Sequence, residues 1–163
     1  MDLILWRHAH AEDLYEGICD AERKLTGKGL KQASKMASWL DRVLPDNCRI
    51  LVSPTERTRA TAEALTFFGR KRKIVDELMP EAKADDVIRA ANWPENREAV
   101  LIIGHQPYLG QVVAQILGHQ GQEFSIRKAS VWWLTRRLKQ SELEGEQNHV
   151  FLKAVMSPDL LSL

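Results

Sequence analysis

The chain has 163 residues, enough for one ordinary domain (residues 1–163) with a core that needs no disulfide or metal staple. Its hydrophobic fraction of 44%, charged fraction of 28% and formal charge of +1 are those of a globular protein without a general bias toward nucleic acid or an anionic membrane. Cys19 and Cys48 are too few for a disulfide framework and suit a reducing compartment, and no stretch approaches the roughly 20 apolar residues of a membrane span, so a cytoplasmic protein is expected.

The first element is Leu3-Ile4-Leu5-Trp6, four apolar residues that read as a strand buried on both faces and that end in Arg7-His8-Ala9-His10. Residues 11–25 show no clean periodicity and read as a loop. From Thr26, a plausible N-cap, Leu30, Ala33, Ala37, Leu40 and Leu44 fall at helical spacing up to the stop at Pro45-Asp46. A second strand, Arg49-Ile50-Leu51-Val52, runs into Ser53-Pro54, which predict an N-cap and first helical residue; that helix carries Ala60, Ala64, Leu65 and Phe68 inward and ends at Gly69. Lys73-Ile74-Val75 predicts a short edge strand, and residues 83–92 a modest helix before Pro94. The third strong strand, 100–104, leads through His105-Gln106-Pro107 into a helix with Leu109, Val112, Val113, Ile116 and Leu117, closed by Gly118. Two late segments, 130–135 and 149–155, predict a hairpin with a turn at Glu144-Gly145-Glu146, in which the adjacent Trp132 and Trp133 face opposite sides. The Arg70-Lys71-Arg72-Lys73 run reads as a solvated cationic helix end rather than a nucleic-acid patch. Alternating strands and helices followed by a hairpin predict an α/β fold, a sandwich with a mostly parallel mixed sheet.

In such sheets ligands sit beyond the carboxyl ends of the strands, and that is where Arg7, His8 and His105 lie. Arg57, in the first turn of the helix after Ser53-Pro54, can join them. Two guanidiniums offer rigid paired donors matched to phosphate oxygens, and two helix N-termini add unpaired N–H groups, so a phosphoryl dianion is the fitting ligand. The arginines also favour a neutral His8 imidazole, which can take the phosphoryl group covalently and yield it to water. A metal site built on His8, His10 and His105 is the alternative, but no acidic ligand sits at suitable spacing and the arginines repel a cation; no metal or other cofactor is expected.

These residues resemble the histidine phosphatase superfamily, whose fold is called phosphoglycerate mutase-like. Arg7-His8-Ala9 is similar to its Arg-His-Gly signature, with Ala9 in place of glycine. Ser53-Pro54-Thr55-Glu56-Arg57 with Thr61-Ala62 matches its S-x-x-x-R-x-x-x-T-A segment. Gly104-His105-Gln106-Pro107 matches its second-histidine motif, and Leu25-Thr26 with Gly29 and Gln32-Ala33 its L-T-x-x-G-x-x-Q-A helix start. The resemblance implies a three-layer αβα sandwich, with His8 as the phosphorylated nucleophile and Arg7, Arg57 and His105 on the phosphoryl group. The short length, the Asp20-x-x-Arg23-x-Leu25-Thr26 run and the closing Met156-Ser157-Pro158 resemble the SixA-type phosphohistidine phosphatases of that superfamily.

The branch implies a phosphorylated protein as partner, such as a phosphotransfer or phosphorelay domain, and a site that phosphate or sulfate can occupy. Neither nucleic acid nor membrane is expected as a partner, and nothing demands more than a monomer. Mutase-like members supply a general acid from a glutamate after the third strand, and Glu77 or Glu81 lies in the corresponding region. Esters need such an acid; the weak P–N bond of phosphohistidine needs it less. The other readings are a small-molecule phosphomonoesterase of the same superfamily and a non-catalytic module that binds a phospho-ligand.

Overall fold

The computed structural model describes residues 1–119, 121–141 and 145–161. Six strands form one sheet: β1 (Asp2–Arg7), β2 (Arg49–Val52), β3 (Lys73–Ile74), β4 (Val100–Gly104), β5 (Val131–Ser141) and β6 (Gly145–Met156), in the order β3-β2-β4-β1-β5-β6. The first four run parallel, whereas β5 is antiparallel to β1 and β6 to β5. Among the described residues four α-helices flank the sheet: α1 (Gly27–Val43), α2 (Glu56–Glu63), α3 (Ala84–Ala91) and α4 (Tyr108–Ile116).

The uninterrupted apolar strands follow from burial on both faces. Ile4, Trp6, Ile50, Val52, Leu101 and Ile103 point to one side, where Ala33, Met36, Ala37 and Leu40 of α1 and Ala62 of α2 cover them. Leu3, Leu5, Leu51, Val100 and Ile102 point to the other, against Val87 and Ala91 of α3 and Leu109, Val112 and Val113 of α4. The result is a three-layer αβα sandwich. Trp133 packs into the first cluster and Trp132 against the second, on opposite faces as the strand period requires.

Several local expectations change. The second helix begins at Glu56 after an N-cap at Thr55, not at Ser53-Pro54, because Ser53 is taken up by the site described below. It ends at Glu63, followed by a separate turn at Thr66–Phe68 that Gly69 closes with φ 72°; Phe68 is exposed, and Ala60 and Ala64 are only half-buried. Leu30 is 56% exposed, so α1 turns Met36 rather than Leu30 to the core. Glu144 lies outside the described residues, whereas Gly145 and Glu146 pair within β6 rather than turning. Nor is the basic run all solvated. Arg70 caps the C-terminus of α1, with Nε on Asp41 Oδ1 (2.9 Å) and Nη2 on the carbonyls of Asp41 and Leu44 (3.1 Å each).

The start of α1 is locked onto the chain leaving β1. Ala11 bridges to Leu25, Thr26 N–H donates to the His10 carbonyl (3.0 Å), and His10 N–H donates to Gln32 Oε1 (3.0 Å). The Thr26 hydroxyl caps Gly29 N–H (3.1 Å) and lies 2.9 Å from His10 Nδ1. A Cβ on Gly29 would run into the His10 carbonyl. The Leu-Thr-x-x-Gly-x-x-Gln-Ala pattern is therefore a device for holding residues 9–11 in place. Gly29→Ala is expected to lower stability by about 1–3 kcal/mol, as overpacking does, and to reduce the thermal midpoint; an unchanged midpoint would contradict this close approach.

Candidate active site

Strands β2, β4 and β1 are neighbours and end level with one another. Arg7 pairs with Gly104, His8 N–H donates to the Gly104 carbonyl (3.1 Å), and Ser53 N–H donates to the Ile103 carbonyl (3.1 Å). Residues far apart in the chain thus meet at one sheet edge. The segment before β5 closes the other side: Arg7 N–H donates to the Ser130 carbonyl (3.1 Å), and Ala129 N–H donates to the His8 carbonyl (3.0 Å).

His8 is 5% exposed, and its Nδ1 lies 2.8 Å from the Ala9 carbonyl. A carbonyl can only accept, so Nδ1 carries the proton and Nε2 presents its lone pair. The His105 ring stands 5.3 Å away, centroid to centroid. Its Nε2 lies 2.8 Å from the Ser53 hydroxyl, and its edge meets Tyr108, whose own hydroxyl donates to the Leu78 carbonyl (2.8 Å). A Cβ on Gly104 would strike that tyrosine, which explains the glycine before His105.

Arg7 Nη1 donates to the Ile126 carbonyl (2.7 Å), and Arg57 is gripped by Asp20 through Nη1 to the main-chain oxygen (2.6 Å) and Nη2 to Oδ2 (2.9 Å). Arg23 also binds Asp20, Nε to Oδ1, at 2.9 Å. Burial works to raise the Asp20 carboxyl, but Arg57 and Arg23 outweigh it and hold it below the usual carboxylate range. Arg7 Nε, Arg57 Nε and His105 Nδ1 are buried with no protein partner.

Burial, reinforced by Arg57, Arg7 and Lys128, lowers the His8 pKa to about 3. Burial, then His8 and the arginines, lowers that of His105 to about 2. Both imidazoles are neutral near pH 7. The arrangement can therefore present a neutral nitrogen nucleophile beside donors suited to an anion.

Arg7, His8, Arg57 and His105 come together as the sequence indicates. Glu77 and Glu81 are both exposed and, among the described residues, neither hydrogen-bonds nor ion-pairs with the four; the Leu78 carbonyl beside Glu77 accepts from Tyr108, which packs on His105. His10 points instead to Thr26. Among the described residues no group of three or more His, Cys, Asp or Glu could hold a metal ion, and no helix is long and apolar enough to cross a membrane. Sequence reasoning missed the roles of Asp20, Ser53 and Thr61, whose hydroxyl accepts from Ala9 N–H (3.0 Å). Asp20 and Thr61 do stand in the quoted patterns, but only the folded chain shows what they touch.

Residues 3–86 match the family model of the histidine phosphatase superfamily, branch 1. The chain belongs to that superfamily. It is 31% identical over 130 residues to the phosphohistidine phosphatase SixA homolog of Haemophilus influenzae, covering 72% of this chain and 78% of that one. It is 28% identical over 121 residues to the phosphohistidine phosphatase SixA of Escherichia coli K12, covering 71% and 74%. A solved structure of the protein histidine phosphatase SixA complexed with tungstate superposes with a TM-score of 0.75 at 25% identity, over 99% of this chain and all (100%) of that one.

The buried imidazoles make stability depend on pH. Unfolded, each titrates near its reference of about 6.5, and both folded values lie below it. The unfolded chain thus takes up more protons as pH falls below 6.5, and each histidine can remove at most about 1.4 kcal/mol of stability per pH unit in that window, with no slope above it. The thermal midpoint is expected to fall between pH 7 and pH 5, and to fall less in His105→Gln; equal behaviour of the two proteins would refute the assignment.

Proposed function

We propose that the protein is a phosphatase that removes the phosphoryl group from phosphohistidine on a protein, through a covalent phospho-His8 intermediate and without a metal. The observation that carries this reading is the set of buried, unpartnered nitrogens (Arg7 Nε, Arg57 Nε and His105 Nδ1) in the same cluster as a neutral His8 whose Nδ1–H is tied to a carbonyl. Those nitrogens suit the equatorial oxygens of a transferring phosphoryl group, whose negative charge meets two guanidiniums.

His8 Nε2 attacks phosphorus, and the P–N bond to the substrate imidazole breaks. That imidazole leaves with its electron pair and takes a proton from solvent. The Nδ1–H bond to the Ala9 carbonyl supports the positive charge gained by phospho-His8. Water then attacks phosphorus, releasing inorganic phosphate and returning Nε2 with its lone pair. The arginines supply the charge that a metal ion supplies elsewhere.

Two further points support phosphohistidine. The similarity to SixA proteins extends over most of the chain, and the weak P–N bond of phosphohistidine asks little of a general acid, which suits a site where Glu77 and Glu81 are exposed and, among the described residues, neither hydrogen-bonded nor ion-paired to the four. Residues 1–163 are taken as one functional unit, since both apolar layers share one sheet.

Phosphate release would be followed from a phosphohistidine-labelled phosphotransfer domain and from p-nitrophenyl phosphate. Rapid release from the domain and slow ester hydrolysis are expected, with both lost on the order of a thousandfold or more in His8→Ala. Fast ester hydrolysis would favour the phosphomonoesterase, and silence with both a binding module. Undiminished activity of His8→Ala would overturn the mechanism. Asp20→Asn, which weakens the grip on Arg57, is expected to raise KM for both substrates more than it lowers kcat; an unchanged KM would show that Arg57 needs no such support.

A further inference from the structure

An open groove of about 730 Å³ runs between the first half of α1 and the segment before β5, and its lining includes Lys28, Lys31, Lys35, Arg127, Lys128 and Asp159. Arg127 is paired with Asp159 (3.4 Å), but none of the four lysines has an ion pair among the described residues.

The lysines serve the fold poorly where they stand. Lys28, Lys31 and Lys35 follow the i, i+3, i+7 spacing that puts them on one helical face, and like charges so placed repel one another. Lys28 also lies in the first turn of α1, where the helix dipole favours anions, and that turn has no acidic residue to offset it. A cost of this kind is removed when an anionic surface covers the face.

Both walls of the groove are tied to the chain that carries the nucleophile. On one side the Ala129 amide is bound to the His8 carbonyl, and the Trp6 indole N–H donates to the Ala129 carbonyl (3.0 Å). On the other, Gln32, which also lines the groove, accepts from His10 N–H. Lys128 stands near enough to His8 to disfavour its protonation. Both walls are thus anchored to the backbone on either side of His8.

We infer that this groove docks an acidic segment of the phosphorylated protein, one that flanks its phosphohistidine. The inference rests on the phosphohistidine reading given above. From Lys28 to Lys35 the helix rises by roughly 10 Å, too far for one phosphoryl group and about the span of three extended residues. A nucleic acid fits less well, because the groove offers no aromatic ring for base stacking and the chain as a whole carries only +1.

The test uses Lys31→Glu/Lys35→Glu, which exchange one good helix former for another at positions outside the buried core and so preserve α1. The two substrates are a phosphohistidine-labelled phosphotransfer domain with acidic residues beside its histidine, and free phosphohistidine. KM for the domain is expected to rise about tenfold or more and to lose most of its salt dependence, while turnover of free phosphohistidine stays within about twofold. Changing acidic residues of the domain to lysine should restore part of the loss. If the wild-type protein cleaves the domain and the double variant does so equally well, the groove proposal falls alone. Equal losses on both substrates would also overturn it, as would tight binding of a short oligonucleotide that the double variant abolishes while domain turnover is unaffected. Failure of the wild-type protein to cleave either substrate would remove the phosphohistidine reading and this inference with it.

Discussion

Parallel pairing of β1 with β4, and of β4 with β2, underlies the rest of the structure. It ends three strands at one level, so that the Gly104 carbonyl receives His8 N–H and the Ile103 carbonyl receives Ser53 N–H. A one-residue slip of either strand would exchange the side chains facing the two apolar layers, so close packing against α1 and α2 on one side and α3 and α4 on the other holds the register. That requirement of packing also sets the separation of the two histidine rings.

The site concentrates features that work against stability. Two guanidiniums and two imidazoles meet in a small, largely buried volume, and three of their buried nitrogens have no protein hydrogen-bond partner. Such groups are kept where surrounding structure holds them. Here the support is specific: Asp20 for Arg57, the Ile126 carbonyl for Arg7, Ser53 and Tyr108 for His105, and the Ala9 carbonyl for His8. The basic groove beside the site extends the same charge outward.

Much of this was legible in the chain. The apolar runs 3–6 and 100–103 are too continuous for a half-exposed strand, and each ends in histidine or arginine, so sheet and site could be read together. The Ser53–Ala62 pattern located Arg57 without locating the helix start, since Ser53 looks like a cap until His105 claims its hydroxyl. Leu30 matched the helical period, but period alone does not say how wide the covered stripe is. Phe68 looked buried because apolar; the break after Glu63 decided otherwise. In the basic run, composition could not tell a solvated arginine from Arg70, which serves the carbonyls of a helix some 25 residues earlier.

The sequence by itself determined the parallel core, the order of the motifs and the chemical types at the strand ends, because hydrophobic period and turn chemistry are local. It also pointed to the superfamily, through several motifs standing in one order at the family's spacings. Tertiary structure alone decided which nitrogen of His8 presents its lone pair, that Asp20 grips Arg57, and that lysines from α1 face Arg127 and Lys128 across a groove. Those depend on contacts between residues distant in the chain, and on burial, which no local pattern encodes.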